Sequence, residues 1–222
     1  MAATKKKPAR KKAVRKVAKA VTKGAKVAAV VAPADLAVLE FVDCAAWRTW
    51  LQRKHASSPG IWIKFAKKGS GRSSITRPEA VDGALCWGWI DGQGKSHDAT
   101  YWLNKFTPRR SRSIWSKINR DKALALIASG EMAAPGLAEV ERAKGDGRWD
   151  AAYDSPRSSA IPDDFAKALA AKPRAAEFFE TLNAANRYAI LWRLQTAKRP
   201  ETRAKRIEQF VAMLIRGEKI HP

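Results

Sequence analysis

The chain has 222 residues, of which 45% are hydrophobic, so it is long enough for one compact domain or for two small domains and a tail. Its 43 Lys and Arg residues outnumber its 21 Asp and Glu residues and give a formal net charge of +22. A chain this basic is expected to bind a polyanion such as nucleic acid, an anionic lipid or an acidic protein.

Cysteine usage and hydropathy exclude further classes of protein. The two cysteines form no CxxC pair and the three histidines are scattered, which argues against a disulfide framework and against a zinc site. The longest strongly apolar run near the N-terminus is VAAVVAPA, far shorter than the ~20 residues that a membrane span needs. We therefore predict a cytoplasmic protein with no bound metal, no other cofactor and no membrane span.

The first 34 residues are rich in Lys, Ala and Val and contain no aromatic residue. Residues 1–32 hold nine Lys and two Arg without an acid, and this segment therefore carries half of the net charge. Repulsion among like charges opposes collapse, so we predict a disordered tail that binds nucleic acid without sequence preference and holds the protein near the nucleoid. The candidate contacts are Lys5, Lys6, Lys7, Arg10, Lys11, Lys12, Arg15 and Lys16.

Folded structure is expected to begin near Asp35. The segment DCAAWRTWLQRKH predicts a helix with Asp43 as N-cap and one apolar face, and IWIKFAKK alternates as a strand does. Thr76 and Glu79 have the spacing of a capping box, which predicts the start of a second helix. A hairpin should follow, with a short strand at 89–90, a turn at Asp91-Gly92 and a strand over 99–106.

The remainder of the chain has the three- and four-residue apolar spacing of helices. The predicted helices are 119–129, 136–144, 163–171, 173–182, 186–197 and 200–216. The stretch SPRSSAIPDD is the best domain boundary. The predicted class is α+β: a tail over 1–34, a core with a small antiparallel sheet and helices over 35–155, and a helical C-terminal module over 156–222.

The stretch CWGWIDGQ begins at Cys86 and places two tryptophans around one glycine before an Asp-Gly step. One interpretation is core that ends in a turn, because Cys, Trp and Ile are usually buried and Asp-Gly is a common turn dipeptide. The other is the lining of an apolar pocket with few polar groups. In that case the ligand-binding candidates are Trp89, Asp91, Lys95 and Tyr101.

The segment FTPRRSRSIWSKINR gathers basic residues around one tryptophan in a predicted loop. Arginine forks bind phosphate or carboxylate, and an aromatic ring among them stacks on a base or ring. This pattern adds Arg109, Arg110, Trp115 and Asn119 to the candidates for an anionic ligand. The alternative is a solvated loop anchored by one buried tryptophan.

A second basic cluster spans the junction of the last two predicted helices. It includes Arg199, Arg203 and Arg206, which would clamp a phosphate backbone. The alternative is a polar outer helix face on which glutamates balance the arginines.

Catalytic signals are sparse, and no catalytic residue is assigned. His97 and Asp98 form a base–carboxylate pair in sequence, but adjacent strand residues point to opposite faces. An enzyme that acts on a small anionic substrate through Asp91, His97, Arg109 and Arg110 stays open as an alternative.

Four segments in this order resemble the YdeI/OmpD-associated, or bacteriocin-protection, family: RTWLQRKHASSPGIWIKFAKKGSG, EAVDGALCWGWIDGQ, FTPRRSRSIWSKIN and AKRPETRAKRIEQFVAMLIRGE. The resemblance covers residues 36–222, and residues 160–220 resemble the family's helical module. It implies a bacterial protein linked to tolerance of antimicrobial peptides or bacteriocins, and it implies no reaction or cofactor. The basic tail departs from the family pattern.

These observations lead to one main hypothesis and two alternatives. The main hypothesis is a non-enzymatic cytoplasmic binding protein of the stress response, which takes an anionic small molecule in its Trp/Arg region and nucleic acid on its tail. The first alternative is the enzyme described above. The second is an adaptor that binds a protein partner through the helical C-terminal face.

Overall fold

The computed structural model describes Met1 and residues 36–222. The predicted tail and its nucleic-acid contacts, Lys5 to Lys16, lie outside the described residues. The elements in chain order are β1 (Val38–Glu40), α1 (Cys44–Lys54), β2 (Ile61–Ala66), α2 (Arg77–Cys86), β3 (Trp89–Ser96), β4 (Tyr101–Pro108), α3 (Lys117–Ala128), α4 (Ala134–Gly145), α5 (Asp163–Ala170), α6 (Pro173–Thr181), α7 (Ala184–Gln195) and α8 (Pro200–Ile215).

The helix starts follow local capping chemistry. The Asp43 carboxylate accepts the Ala46 N–H at 2.8 Å, which confirms the predicted N-cap of α1. Thr76 and Glu79 form the predicted capping box at the start of α2. Each predicted helix after residue 107 is present, with ends that differ by at most two residues. Such signals act within one helical turn, so the sequence alone reveals them.

The α+β class is confirmed, but the sheet is mixed rather than antiparallel throughout. Its strand order is β1-β2-β4-β3, and β1 runs parallel to β2 with Leu39 opposite Ile63. The other two pairs, β2 with β4 and β3 with β4, are antiparallel. With only three residues, β1 is too short to show an alternating pattern, so it was not predicted.

The predicted turn at Asp91-Gly92 is wrong, because both residues lie within β3. The strand accommodates an extra residue through an irregularity between Asp91 and Gly94, as in a β-bulge. The hairpin turns instead after Ser96, where the Asp98 carboxylate accepts the N–H groups of Thr100 and Tyr101 at 2.7 Å each. An Asx-type turn therefore replaces the expected Asp-Gly turn.

An aromatic cluster fills the core between the helices and one face of the sheet. Trp47 of α1 is fully buried, lies 5.4 Å from Trp50 and 5.8 Å from Phe106, and donates its indole N–H to the Ala80 carbonyl at 3.0 Å. Trp89 meets both tryptophans of α1 edge-on. The tryptophan-rich part of the chain thus supplies the aromatic core of the sheet and its helices.

The chain passes from α2 into β3 through Gly88, whose φ of +71° is in the left-handed region. A side chain in this conformation would be strained, and a Cβ at this position would lie 3.0 Å from the Pro135 carbonyl oxygen. Cys86 and Trp89 on either side are buried. The first part of the stretch CWGWIDGQ is therefore core at a change from helix to strand, whereas the turn that the first interpretation placed at Asp91-Gly92 is wrong.

The helices α5 to α8 enclose a second hydrophobic cluster, with Phe165 and Phe179 edge-on at 5.6 Å. The first cluster runs from Phe41 to Ala152, and the second from Phe165 to Leu214. Both belong to one compact unit, Asp35–Pro222. None of the described helices is both long and apolar enough to cross a membrane.

Candidate functional site

The residues predicted to bind a ligand do not form one site. Asp91 and Asn119 line a cleft between the core and the C-terminal module. Lys95 and Tyr101 lie on the opposite face of the sheet, because Lys95 pairs with Leu103, whereas Asp91 pairs with the core residue Phe106. The cleft is not lined by the other four predicted residues, which are Trp89, Arg109, Arg110 and Trp115.

The cleft, here called the junction cleft, has a volume of about 300 Å³. It lies where the N-termini of α2 and α3, the start of β3, the segment 153–156 and α7 meet. Its lining residues are Arg77, Pro78, Val81, Asp91, Ser116, Ile118, Asn119, Lys122, Tyr153, Ser155, Pro156 and Tyr188. Ligand sites favour such concave junctions and begin at about this size.

One polar network fixes the inner wall of the junction cleft. Arg77 forms an ion pair with Asp91 and donates its Nε–H to the Asn104 side-chain oxygen at 3.0 Å. The Asn104 amide in turn donates to the Gly92 carbonyl at 3.0 Å and to the Gln93 carbonyl at 3.3 Å. Asn104 is buried and thus binds the carbonyls that the irregularity in β3 leaves without a strand partner.

Two further ion pairs stand at the cleft. Lys122 of α3 pairs with Asp82 of α2, and Lys117 pairs with Asp154 at 2.6 Å. Arg77 keeps a side-chain exposure of 51%, so part of its guanidinium faces solvent. Cations at the cleft are therefore held in place by carboxylates, and Arg77 still has N–H groups for a ligand.

Two tyrosines close the cleft on the side of the C-terminal module. Tyr188 donates its hydroxyl to the Asp154 carbonyl at 3.0 Å, and the Tyr153 ring meets Trp192 edge-on at 6.2 Å. Burial, and to a lesser extent the nearby Asp91 carboxylate, raises the pKa of Tyr153. Tyr153 therefore stays neutral and able to donate a hydrogen bond at physiological pH.

A second cavity, of about 380 Å³, also has Tyr153 in its wall. Its wall includes Arg148 and Lys198. Arg148 is buried, bonded through Nε to the Asp146 carboxylate at 2.8 Å and through Nη1 to the Ser113 carbonyl at 2.7 Å. Its guanidinium thus holds the loop before α3 and offers little to a ligand.

The predicted arginine–tryptophan ligand site is instead a structural unit in the core. Trp115 and Arg109 are 1% and 6% exposed, and the Arg109 guanidinium carbon lies 3.6 Å from the Trp115 ring centroid. Burial lowers the pKa of Arg109 to about 10. Trp89 is 1% exposed as well, so these three residues cannot meet a ligand at the surface. Arg110 is exposed on the loop and lines neither cavity described above.

The predicted clamp of C-terminal arginines is also largely occupied. Arg203 pairs with Asp164 through two nitrogens at 2.5 and 2.8 Å and donates to the Leu194 carbonyl at 2.8 Å. Arg206 donates to the Arg193 carbonyl. Both therefore bind carbonyls in the last turn of α7 and hold α8 against it. Arg199, just before α8, remains exposed.

The residues of the enzyme alternative are not brought together. His97 lies in the exposed hairpin turn, 3.6 Å from the Asp98 carboxylate, six positions along the chain from Asp91. Arg109 is buried, and burial lowers its pKa overall, although the nearby Glu139 and Asp91 carboxylates act to raise that pKa. Among the described residues, no group of three or more His, Cys, Asp or Glu is arranged to hold a metal ion.

Two known protein families match separate parts of the chain. Residues 158–217 match the family described as "Bacteriocin-protection, YdeI or OmpD-Associated", which supports the resemblance for the C-terminal module. Residues 39–139 match a different description, "Domain of unknown function (DUF8412)", so the three N-terminal segments of the resemblance lie outside the first match. No curated protein and no solved structure matches the chain. The junction cleft takes residues from both matched regions and from the segment between them.

Proposed function

We propose that this chain is a binding protein whose junction cleft holds a small polar molecule with an acidic group. The observation that carries the proposal is the convergence of Arg77, Asp91, Asn119 and Tyr153 on one cavity between the two matched regions. Cavities at such junctions are the usual place for small ligands. These four residues are far apart in the sequence, so only the fold brings them together.

The cleft offers a distinct role to each side chain. The solvent-facing N–H groups of Arg77 would take the acidic group of the ligand, since a guanidinium fork fits a carboxylate or phosphate. Asp91 would accept from a ligand hydroxyl or amine, and the Asn119 amide would do either. The tyrosine rings and Ile118 supply the apolar walls.

The cellular role we propose is a part in bacteriocin protection, in the cytoplasm. The family description for residues 158–217 supports the first element, and the free cysteines Cys44 and Cys86 support a reducing compartment. In this proposal the ligand acts as a signal or a carried compound, and no reaction is required. The adaptor alternative stays a prediction for the C-terminal module.

Thermal unfolding of the full chain with a panel of carboxylic acids and phosphate monoesters tests the cleft. A ligand at 100 times its Kd adds about 2.7 kcal/mol, which raises the midpoint by roughly 5–10 °C for a folded region of this size. Arg77→Ala and Asn119→Ala should remove most of that shift, each measured from its own baseline. Arg53→Ala, at the end of α1, is the control and should keep it.

Two results would count against the cleft. One is a panel in which no compound stabilises the protein. The other is a stabilising compound whose effect is the same in Arg77→Ala as in the wild type.

We further propose that the basic segment before Asp35 binds nucleic acid without sequence preference. Residues 1–32 contribute eleven positive charges and no negative charge. Each phosphate contact adds about −0.9 to the slope of log affinity against log salt on duplex DNA. The full chain should therefore bind a DNA duplex more tightly, and with a steeper salt slope, than a chain that starts at Asp35. Equal affinities and equal slopes would refute this part of the proposal.

A further inference from the structure

The two faces of the sheet differ in what they contact. One face carries Ile63 and Phe106 and packs against the aromatic cluster of α1 and α2. The strand register directs alternate residues to the other face, here called the outer face. It includes Trp62 and Lys64 from β2, Tyr101, Leu103 and Lys105 from β4, and Lys95 from β3.

Leu103 shows how this face is built. It is only 2% exposed, yet it does not belong to the hydrophobic core cluster of the opposite face. Lys64 and Lys95 stand directly opposite it on the two flanking strands. The register thus places their aliphatic stems beside Leu103, an arrangement in which long basic side chains cover an apolar residue and keep their ammonium groups at the surface.

Both aromatic rings of the outer face are accessible to a charged group. The Lys95 ammonium lies 4.3 Å from the Trp62 ring centroid, and the Lys64 ammonium lies 5.4 Å from that of Tyr101. These rings are half-buried, and each has a lysine ammonium over one side. A flat ligand that displaced the lysines would stack on the rings, while the ammonium groups stayed close enough to pair with its charge.

The charge on this face is mainly positive. Three lysines stand against Glu40 of β1, whose carboxylate already accepts the Tyr101 hydroxyl at 2.8 Å. The loop that follows β2 carries Lys67, Lys68 and Arg72 at the end of the sheet, where they line a pocket with Phe65 and Trp102 of the core face. The face is therefore complementary to a negatively charged strand that carries flat rings.

We propose that the outer face binds single-stranded nucleic acid, with bases on Trp62 and Tyr101 and phosphates on Lys64, Lys95 and Lys105. Aromatic rings among cations are the common basis of single-strand binding, since every base has a stacking face. A duplex hides its bases, and an acidic peptide has no regular series of rings to stack. The proposal is independent of the junction cleft and of the N-terminal segment, which is tested with duplex DNA.

Quenching of intrinsic tryptophan fluorescence by oligothymidylate tests the proposal in the full chain. The segment before Asp35 contains no aromatic residue, so strands held there alone do not stack on a tryptophan. Trp62→Leu should abolish most of the quenching and weaken binding about tenfold at elevated salt, the loss expected for one base stack. Trp87→Leu is the matched control. Trp87, at the end of α2, is also half-buried, but it packs against His55 at the end of α1 and does not lie on the outer face.

A charge-matched pair of variants tests the lysines and does not depend on how well Trp62→Leu folds. Lys64→Gln with Lys105→Gln should weaken binding and lower the salt slope by about 1.4, at ~0.7 per single-strand contact. Lys167→Gln with Lys172→Gln removes the same charge from exposed positions near α5 and should change binding little.

Three outcomes would overturn the proposal. The first is equal quenching in wild type and Trp62→Leu, and the second is an equal effect of the two lysine pairs. The third is quenching by anionic vesicles or by polyglutamate but none by oligothymidylate, which would assign the face to a lipid surface or an acidic protein.

Discussion

Trp47→Ala is expected to lower the free energy of unfolding by about 3–5 kcal/mol, the range measured for removal of a large aromatic side chain from a core. Trp47 is fully buried and contacts rings from β1–α1, α1 itself, β3 and β4. Its loss leaves a cavity where these elements meet, and it also leaves the Ala80 carbonyl without its indole donor. Urea unfolding followed by circular dichroism measures the change.

Thr49→Ala is the matched control, because Thr49 lies on the exposed side of the same helix. Its effect should stay within about 0.5 kcal/mol, as for most surface substitutions. A Trp47→Ala variant that loses less than about 1 kcal/mol would contradict the central place of this ring in the core.

Gly136→Ala is the second substitution with a large expected effect, a loss of about 3 kcal/mol or more. A Cβ at this position of α4 would lie 2.4 Å from the Cys86 carbonyl oxygen and 2.6 Å from the Leu85 carbonyl oxygen. Both oxygens belong to the backbone at the end of α2, so they cannot turn away as a side chain would. To make room for the methyl group, α4 and α2 must move apart. This cost outweighs the advantage of about 1 kcal/mol that alanine has over glycine in a helix.

Gly145→Ala in the same helix separates the steric clash of the added methyl group from the higher helix propensity of alanine. Nothing lies within 4 Å of a Cβ at Gly145, so this substitution should be neutral or should stabilise by up to about 1 kcal/mol. Thermal or urea unfolding of both variants gives the comparison. If Gly136→Ala is as stable as the wild type, then α4 does not approach α2 as closely as the structure shows.

The sequence predicts the parts of this fold that depend on neighbours within a few residues. Asp43 and Thr76 begin their helices because each cap accepts a backbone N–H three residues ahead. The Asp91-Gly92 turn was wrong because strand pairing overrode the preference of the dipeptide. The irregularity found there in β3 is held by Asn104, which lies twelve positions beyond Gly92 and donates to its carbonyl.

The candidate site shows the same limit more strongly. Asp91 and Asn119 were predicted from their own segments, but Arg77, Tyr153 and Tyr188 reach the junction cleft only through the packing of α2 and the C-terminal module. No local pattern marks these three residues as neighbours of Asp91.

The arginine-rich loop carried a signal that had two interpretations. Arg109 beside Trp115 fitted a ligand site, but both residues are buried. The alternative interpretation, a loop anchored by one buried tryptophan, was therefore right about Trp115. Composition does not show whether a cation and a ring face solvent or each other. Lys95 and Tyr101 differ from this pair in facing outwards, on a sheet face that only the strand register reveals.

The most direct test of the central claim is a map of backbone amide chemical shifts as the most stabilising compound of the panel is titrated into the protein. We predict that the largest changes fall at Arg77, Asp91, residues 116–119 and residues 153–155, which surround the junction cleft. Changes confined to the loop over residues 67–74, or to no contiguous set of residues, would contradict a ligand site at this junction.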